Sequence, residues 1–272
     1  MTMDQDILQE LQQFYLDNPL KIWIPTLRES HDFRPISVAQ QKYLLDLEGT
    51  DEEQGIAYYV NAPRALNSLI KAACTDEDVY DKITVLDRPA ILLQLKYDVK
   101  NVIALAIDEE LVEVNLSPFV DSLSEKKKPK NLKYKDMFTV GNIVVYMKMP
   151  TLAVDETYNQ YFLDQSQRKQ NVDIDEVTGD AYFAEVAKYI DRIVFETGKE
   201  KKVANFGDFD PETFANNIVL LEELPSSVTT KISDYIAVSK KYQIGLVTEN
   251  IDVNGTDKKV FLDIDVPFFT TL

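Results

Sequence analysis

Cysteine and histidine each occur once, as Cys74 and His31. A lone cysteine excludes an internal disulfide and a cysteine-rich zinc site, and a lone histidine excludes a two-histidine metal centre. Glycine is scarce, at 8 of 272 residues, which disfavours Gly-rich β architecture. Neither G-x-x-x-x-G-K-[ST] nor G-x-G-x-x-G occurs, and there is no G-x-S-x-G elbow, so phosphate-cradling loops and the hydrolase nucleophile turn are not expected. No apolar run reaches the length of a membrane-spanning helix. Residues 1–10 are acidic and amphipathic, without the basic and apolar regions of a signal peptide. Cations are outnumbered, 29 Lys and Arg against 46 Asp and Glu, which opposes nucleic acid and anionic lipid over most of the surface. The expectation is a soluble, acidic, cytosol-made protein with no cofactor, no nucleic-acid partner and no membrane partner.

The composition that remains, 45% apolar and 28% charged, can bury a core. Helical spacing covers residues 4–16 until Asn18-Pro19. Leu20 to Ile24 reads as a short strand closed by Pro25, and His31 to Pro35 as a second, able to pair with it. Ser37 and Gln40 form a capping box for a helix through Leu47, with Gly49 at its end. Helices follow at 54–73, with a kink or break at Pro63, and at 87–99, with Ile91, Leu92, Leu95 and Val99 on one face. Residues 102–107 and 111–116 flank Asp108-Glu109-Glu110 as a hairpin. Residues 134–140 and 142–149 form a second strand pair around Gly141. Residues 151–167 and 180–197 read as helices, the latter with Phe183, Val186, Ile190, Ile193 and Val194 on one face. Asp210-Pro211-Glu212 and Pro225-Ser226-Ser227 each start another helix. Residues 242–248 and 260–266 read as strands around an Asn254-Gly255 turn. Segregated elements give an α+β fold: helix-rich N- and C-terminal parts, with antiparallel hairpins or small sheets between them and at the C-terminus. The organisation expected is a mainly helical module over 1–100, hairpins with a lysine-rich connection over 101–150, and a helical module over 151–272 ending in a hairpin. Two arrangements fit the last module: one continuous domain with the rest, or a separate domain.

Few residues suggest chemistry. Cys74, beside Ala72-Ala73 at a helix end, reads as a small buried hydrophobe, and His31 as a structural side chain. Asp173, Asp175, Glu176 and Asp180 fail the spacing of a calcium loop, as do Asp252 and Asn254. Asp263 and Asp265 fall on one face of an expected strand. Six lysines stand within ten residues: Lys126, Lys127, Lys128, Lys130, Lys133 and Lys135. They read either as a solvated linker or hairpin tip, or as a contact arm for an acidic protein surface. Trp23, Phe268 and Phe269, with Lys126, Lys127 and Lys128, are the candidate interface residues. No catalytic, cofactor-binding or metal residue is assigned, and the chain is expected not to be an enzyme.

The segment Ile24-Pro25-Thr26, then Asp32-Phe33-Arg34-Pro35-Ile36-Ser37-Val38, then Lys42-x-Leu44-Leu45, resembles the opening of the T4-type bacteriophage baseplate hub family. The resemblance spans residues 22–48 and extends more loosely to about 100, where Asp87 to Lys96 stands in place of a helix ending in a basic residue. Tyr146-Met147-Lys148-Met149-Pro150, the Leu224-Pro225 helix with Ile232 and Tyr235, and Phe268-Phe269 follow the family's order of elements. Some relatives carry a cysteine pair in the C-terminal hairpin; this chain has none there, so no metal knuckle carries over. The resemblance implies a non-catalytic structural component of a contractile-tail baseplate, located in the virion tail and made in the host cytoplasm. Its partners would be other baseplate and tail proteins, in a homo- or hetero-oligomer. A second implied role is an assembly chaperone for hub or tape-measure proteins, absent from the mature tail. A carboxylate-based hydrolase is the enzymatic alternative.

Physically the motif is a strand-to-helix corner. Pro35 holds Arg34 extended, and its guanidinium is expected to fork to a carboxylate or to helix-terminal carbonyls of its own domain. Phe33, Arg34, Pro35, Ser37 and Gln40 are thus the structural motif.

Overall fold

The computed structural model describes residues 10, 13–48, 56–130, 132–133, 135–168, 182–197, 200–207, 210–253 and 255–270. After helical residues 13–17 come, in chain order, β1 (Leu20–Ile24), β2 (Glu29–Phe33), α1 (Val38–Glu48), α2 (Ile56–Ala73), α3 (Glu77–Tyr80) and α4 (Arg88–Val99). There follow β3 (Val102–Ile107), β4 (Glu110–Asn115), α5 (Ser117–Asp121), β5 (Lys135–Val140), β6 (Ile143–Lys148), α6 (Leu152–Arg168), β7 (Ile190–Thr197) and β8 (Glu200–Asn205). The last are α7 (Pro211–Glu222), α8 (Ser226–Leu246), β9 (Thr248–Val253), β10 (Thr256–Phe261) and α9 (Val266–Thr270). This is the α+β architecture expected, with every sheet antiparallel. Residues 49–55 and 169–181, which hold Gly49 and the acidic loops, lie outside the described residues.

Contacts group the chain into two compact units, neither continuous in sequence. The first takes residues 1–83, 87–127 and 243–272; the second takes 84–86 and 128–242. The linear division at 100 and 150 therefore does not follow the contacts: β3 and β4 belong with the N-terminal helices, and β5 and β6 with the later ones.

The first unit is built around α4, which is buried from Ala90 to Lys96 without a break. Its centre is not a one-sided stripe, and Val99, expected inward, is exposed. Ile22 and Ile24 of β1, Phe33 of β2, and Leu66, Leu69 and Ile70 of α2 complete this core. The α2 helix runs unbroken through Pro63, and α9 packs on α1. The β3–β4 hairpin turns on Asp108 (φ 53) and Glu109 (φ 69), both left-handed as a type I′ turn requires.

The second unit holds a four-stranded sheet in the order β5-β6-β7-β8. Its buried face presents Val145, Met147, Ile190 and Ile193. Phe214 of α7 meets Tyr158 and Tyr161 of α6 edge-on at 5.2 and 4.9 Å.

Residues 180–197 correct the helix expected there. Among the described residues helix covers 182–187, and β7 begins at Ile190. The reason is a β-bulge. Met147 pairs with Ile190 and Tyr146 with Arg192, leaving Asp191 as the extra residue. In a regular strand residues three apart face opposite ways; one extra residue puts Ile190 and Ile193 on the same side. A spacing of three thus imitates a helical stripe. Two other boundaries move: residues 242–246 end α8 rather than start a strand, and β10 ends at Phe261, so Asp263 and Asp265 lie beyond it.

Candidate functional site: the corner and its neighbours

The two-stranded β1–β2 ladder aligns Leu20 with Phe33 and Ile24 with Glu29. At its far end Phe33 is fully buried and forms a β-bridge with Cys74. Asp32 C=O accepts from Thr75 N–H (3.3 Å) and Thr75 Oγ1 (2.7 Å), and Arg34 N–H donates to Ala73 C=O (2.7 Å). The capping box is present in both directions: Ser37 N–H donates to Gln40 Oε1 (2.7 Å), and Gln40 N–H to Ser37 Oγ (3.3 Å). Ile36 and Leu44 are buried beside it, and Pro35 is half-buried. The corner is therefore a joint held by one aromatic side chain, backbone hydrogen bonds and a cap.

The Arg34 guanidinium does not take part as expected. Its side chain is exposed and forms no ion pair among the described residues. The backbone of Arg34 does the anchoring that its charge was expected to do.

On the other edge of β1, α4 supplies two polar side chains. Asp87 accepts from Thr26 N–H (2.8 Å) and Thr26 Oγ1 (2.7 Å). It stands at the N-cap of α4 but makes no side-chain cap to that helix. The Gln94 amide copies a neighbouring strand: Trp23 N–H donates to its Oε1 (2.8 Å), and its Nε2 donates to Trp23 C=O (2.9 Å) and Ala90 C=O (2.9 Å). Trp23 is half-buried, fixed through its main chain. Beyond Gln94 an open groove of about 590 Å³ runs between β1 and the end of α4, lined by Leu20, Lys21, Tyr97, Asp98, Lys100 and Val120 among others. Burial pushes the Asp98 carboxyl above the usual carboxylate range.

Of the remaining interface candidates, Lys126, Phe268 and Phe269 are drawn inward. Lys126 is no free arm: its Nζ donates to Leu246 C=O (2.8 Å) and Thr248 C=O (3.1 Å) and pairs with Glu249 Oε1 (2.7 Å). It caps the C-terminus of α8, where the helix dipole favours a cation. Lys127 is exposed and Lys128 half-buried. Farther along, Lys133 C=O accepts from Tyr235 OH (2.5 Å). Phe268 and Phe269 are buried, at 5% and 8% exposure, with Lys96 Nζ donating to Phe269 C=O (3.2 Å). They are core rather than an aromatic surface, because α9 folds back on α1.

Three groups settle what chemistry the rest can do. Cys74 is half-buried, its thiol donates to Asp76 C=O (3.2 Å), and burial raises its pKa away from the thiolate. His31 Nε2 lies 3.0 Å from Glu29 Oε1. Asp252 Oδ1 accepts from Gly255 N–H (2.7 Å), which makes it a turn residue. No cluster of three or more His, Cys, Asp and Glu suited to a metal occurs among the described residues. The acidic set from Asp173 to Asp180 lies outside them. Nor is any helix among the described residues long and apolar enough to cross a membrane.

Sequence patterns missed one ionic cluster altogether. Lys188, fully buried in the second unit, meets Asp155 Oδ1 at 2.6 Å and also pairs with Glu185 Oε2. Burial alone would lower its pKa; the two carboxylates outweigh that and hold it above the ordinary lysine value. Nothing in the local sequence marks a lysine two residues before a strand as buried.

No protein-family model, curated protein or solved structure matches this chain.

Proposed function

We propose that the chain is a structural component of a contractile-tail baseplate hub, acting by fitting against other proteins and without catalysis. One observation carries the reading. The residues resembling the hub family, 22–48, supply the joint of the first unit, with Ile24, Phe33, Ile36 and Leu44 buried and Ser37 and Gln40 spent on a helix cap. None of these side chains is held ready for bond-making. Around them Asp87, Gln94 and Lys96 are consumed in tying backbone groups together.

The test is mass spectrometry and cryo-EM of purified particles from the phage whose genome carries this sequence. The expected result is a fixed copy number at the baseplate centre. A chain bound to hub or tape-measure proteins in infected lysate, yet lost from finished tails, would replace this role with that of an assembly chaperone. A genome unconnected with tailed phages would overturn both.

A further inference from the structure

The outer edge of β1 has two rungs, and the chain fills one of them itself. Trp23 N–H and C=O point away from β2, and the Gln94 amide takes both (2.8 and 2.9 Å). Pairing alternates along an antiparallel ladder. Leu20, Ile22 and Ile24 therefore bond to Phe33, His31 and Glu29 of β2, and Lys21 shares the outward phase of Trp23. Among the described residues no group takes Lys21 N–H or C=O. The Lys21 ammonium is engaged elsewhere, with Asp32.

The empty rung opens into the groove of about 590 Å³ beyond Gln94, a volume within the ~300–1,000 Å³ of ligand sites. The opposite wall is set by α4, which runs against β1, with Asp87 at Thr26 and Gln94 at Trp23. Four further helical residues advance about 6 Å and two strand residues roughly 6.6 Å. Asp98, on the helix face of Gln94, thus stands level with Lys21. It cannot do for Lys21 what Gln94 does for Trp23. Its side chain is one methylene shorter, and a carboxylate has no N–H to offer a carbonyl. Asp98 has no ion-pair partner among the described residues, and burial raises its carboxyl with no cation offsetting it. Lys100 lines the same groove without doing so.

We propose, on the reading that this chain works by fitting against other proteins, that the groove holds one basic residue of a short extended segment of a partner protein, with its main-chain N–H and C=O on the Lys21 rung and its cationic side chain against Asp98. Gln94 is the internal precedent: one donor and one acceptor, side by side, satisfy such a rung. The segment is short because the ladder is closed on both sides. Gln94 occupies the rung at Trp23, and Pro19, the next outward residue, has no N–H. A long added strand or a second copy of β1 gains nothing beyond the single rung. The segment is basic because the groove offers an acid without its cation, in a chain whose net charge of −17 draws basic partners and repels acidic ones.

The test is NMR of the isotope-labelled full chain titrated with the blocked peptide acetyl-Ala-Arg-Ala-amide. The expected result is a saturable shift of the Lys21 and Asp98 amides. Glu in place of Arg in the peptide should weaken binding at least about tenfold. Methylating the Arg main-chain nitrogen, which removes the donor for Lys21 C=O, should weaken it about as much. Asp98→Asn, at an exposed position, should leave the circular dichroism unchanged and shrink the preference for Arg over Glu to less than about threefold. No saturable shift at Lys21 at any soluble peptide concentration overturns the proposal, as do shifts confined to other surfaces. Equal binding of the Glu or the N-methyl peptide overturns it too, and so does a preference for Arg that survives Asp98→Asn. None of these results depends on whether the chain is found in a tail, so groove occupancy and the baseplate role fail separately.

Discussion

Two buried polar clusters, one in each unit, work in opposite ways. In the first, three buried side chains at the start of α4 and within it each finish a main-chain group outside that helix: Asp87 for Thr26, Gln94 for Trp23, Lys96 for Phe269. In the second, charge answers charge, with Lys188 held between Asp155 and Glu185. The first arrangement extends a ladder that a two-stranded hairpin cannot complete, so it adds the worth of several hydrogen bonds. The second offsets a desolvation cost of its own making, so it contributes little when whole and costs much when halved. A tie to backbone is thus a stability device, whereas the ion cluster is a commitment that both partners be present.

The difference predicts a large effect in the second unit. Lys188→Met leaves Asp155 buried without its cation and should destabilise the second unit by about 3–5 kcal/mol. Adding Asp155→Leu should restore most of the loss, measured by urea unfolding of both variants. If the double variant is as unstable as the single one, the cluster is more than a matched pair. Alkali sharpens the same contrast. Burial holds Tyr158 and Tyr189, both in the second unit, up to about 12. A phenol whose folded pKa is raised gives stability that is whole below its ordinary value near 10 and is lost as pH rises through the folded value. Thermal melts from pH 9 upward should therefore show the second unit weakening from about pH 10.

In the first unit the counterpart is Asp87→Ala. It strands Thr26 N–H and removes two charge-assisted hydrogen bonds, for about 2–3 kcal/mol. Asp87→Asn keeps one acceptor and should recover part of this. A loss as large as that of Lys188→Met would erase the distinction between tie and ion cluster.

Which of these features could be read beforehand depends on how local the physics is. The Ser37–Gln40 box, the Asp210 cap with Thr213 N–H on its carboxylate (2.8 Å), and the turn at Asp108-Glu109 were all legible, because each is settled within four residues. β7 was not: its bulge is dictated by β6, far away in sequence, and its apolar spacing imitates a helix. β8, Glu-Lys-Lys-Val-Ala-Asn, has no strand signature, since an exposed edge strand needs none. Of the candidate site, the corner's position and cap were legible, while the ties along β1, Asp87 and Gln94, lie more than sixty residues from the Thr26 and Trp23 they hold. Charge density misled most. The lysine run suggested a loose arm, yet Lys126 is fastened where the carbonyls of a helix end happen to be.

Lys126→Met should accordingly cost about 1 kcal/mol, the usual worth of a cation on a helix C-terminus. Burial alone would raise Glu249, but hydrogen bonds from Lys126 and Ser122 hold its carboxyl below the ordinary value. A depressed carboxylate gives stability that is present above its unfolded pKa and lost as pH falls through the folded one. The penalty of Lys126→Met should then shrink in acid, read as converging melting temperatures of variant and parent.

The smallest effect belongs to the residue that looked most important. Arg34→Ala removes an exposed guanidinium with no ion-pair partner among the described residues. It leaves Arg34 N–H to Ala73 C=O, the buried Phe33 ring and the capping box untouched. Its effect on the melting temperature should fall within the range of an ordinary surface change, about 0.5 kcal/mol either way. Phe33→Ala, one position earlier, should cost about 3–5 kcal/mol by emptying the site of a fully buried ring. If Arg34→Ala proves the costlier of the two, the joint is held by charge, and the contrast between backbone ties in the first unit's core and the ion cluster at Lys188 fails at its clearest point.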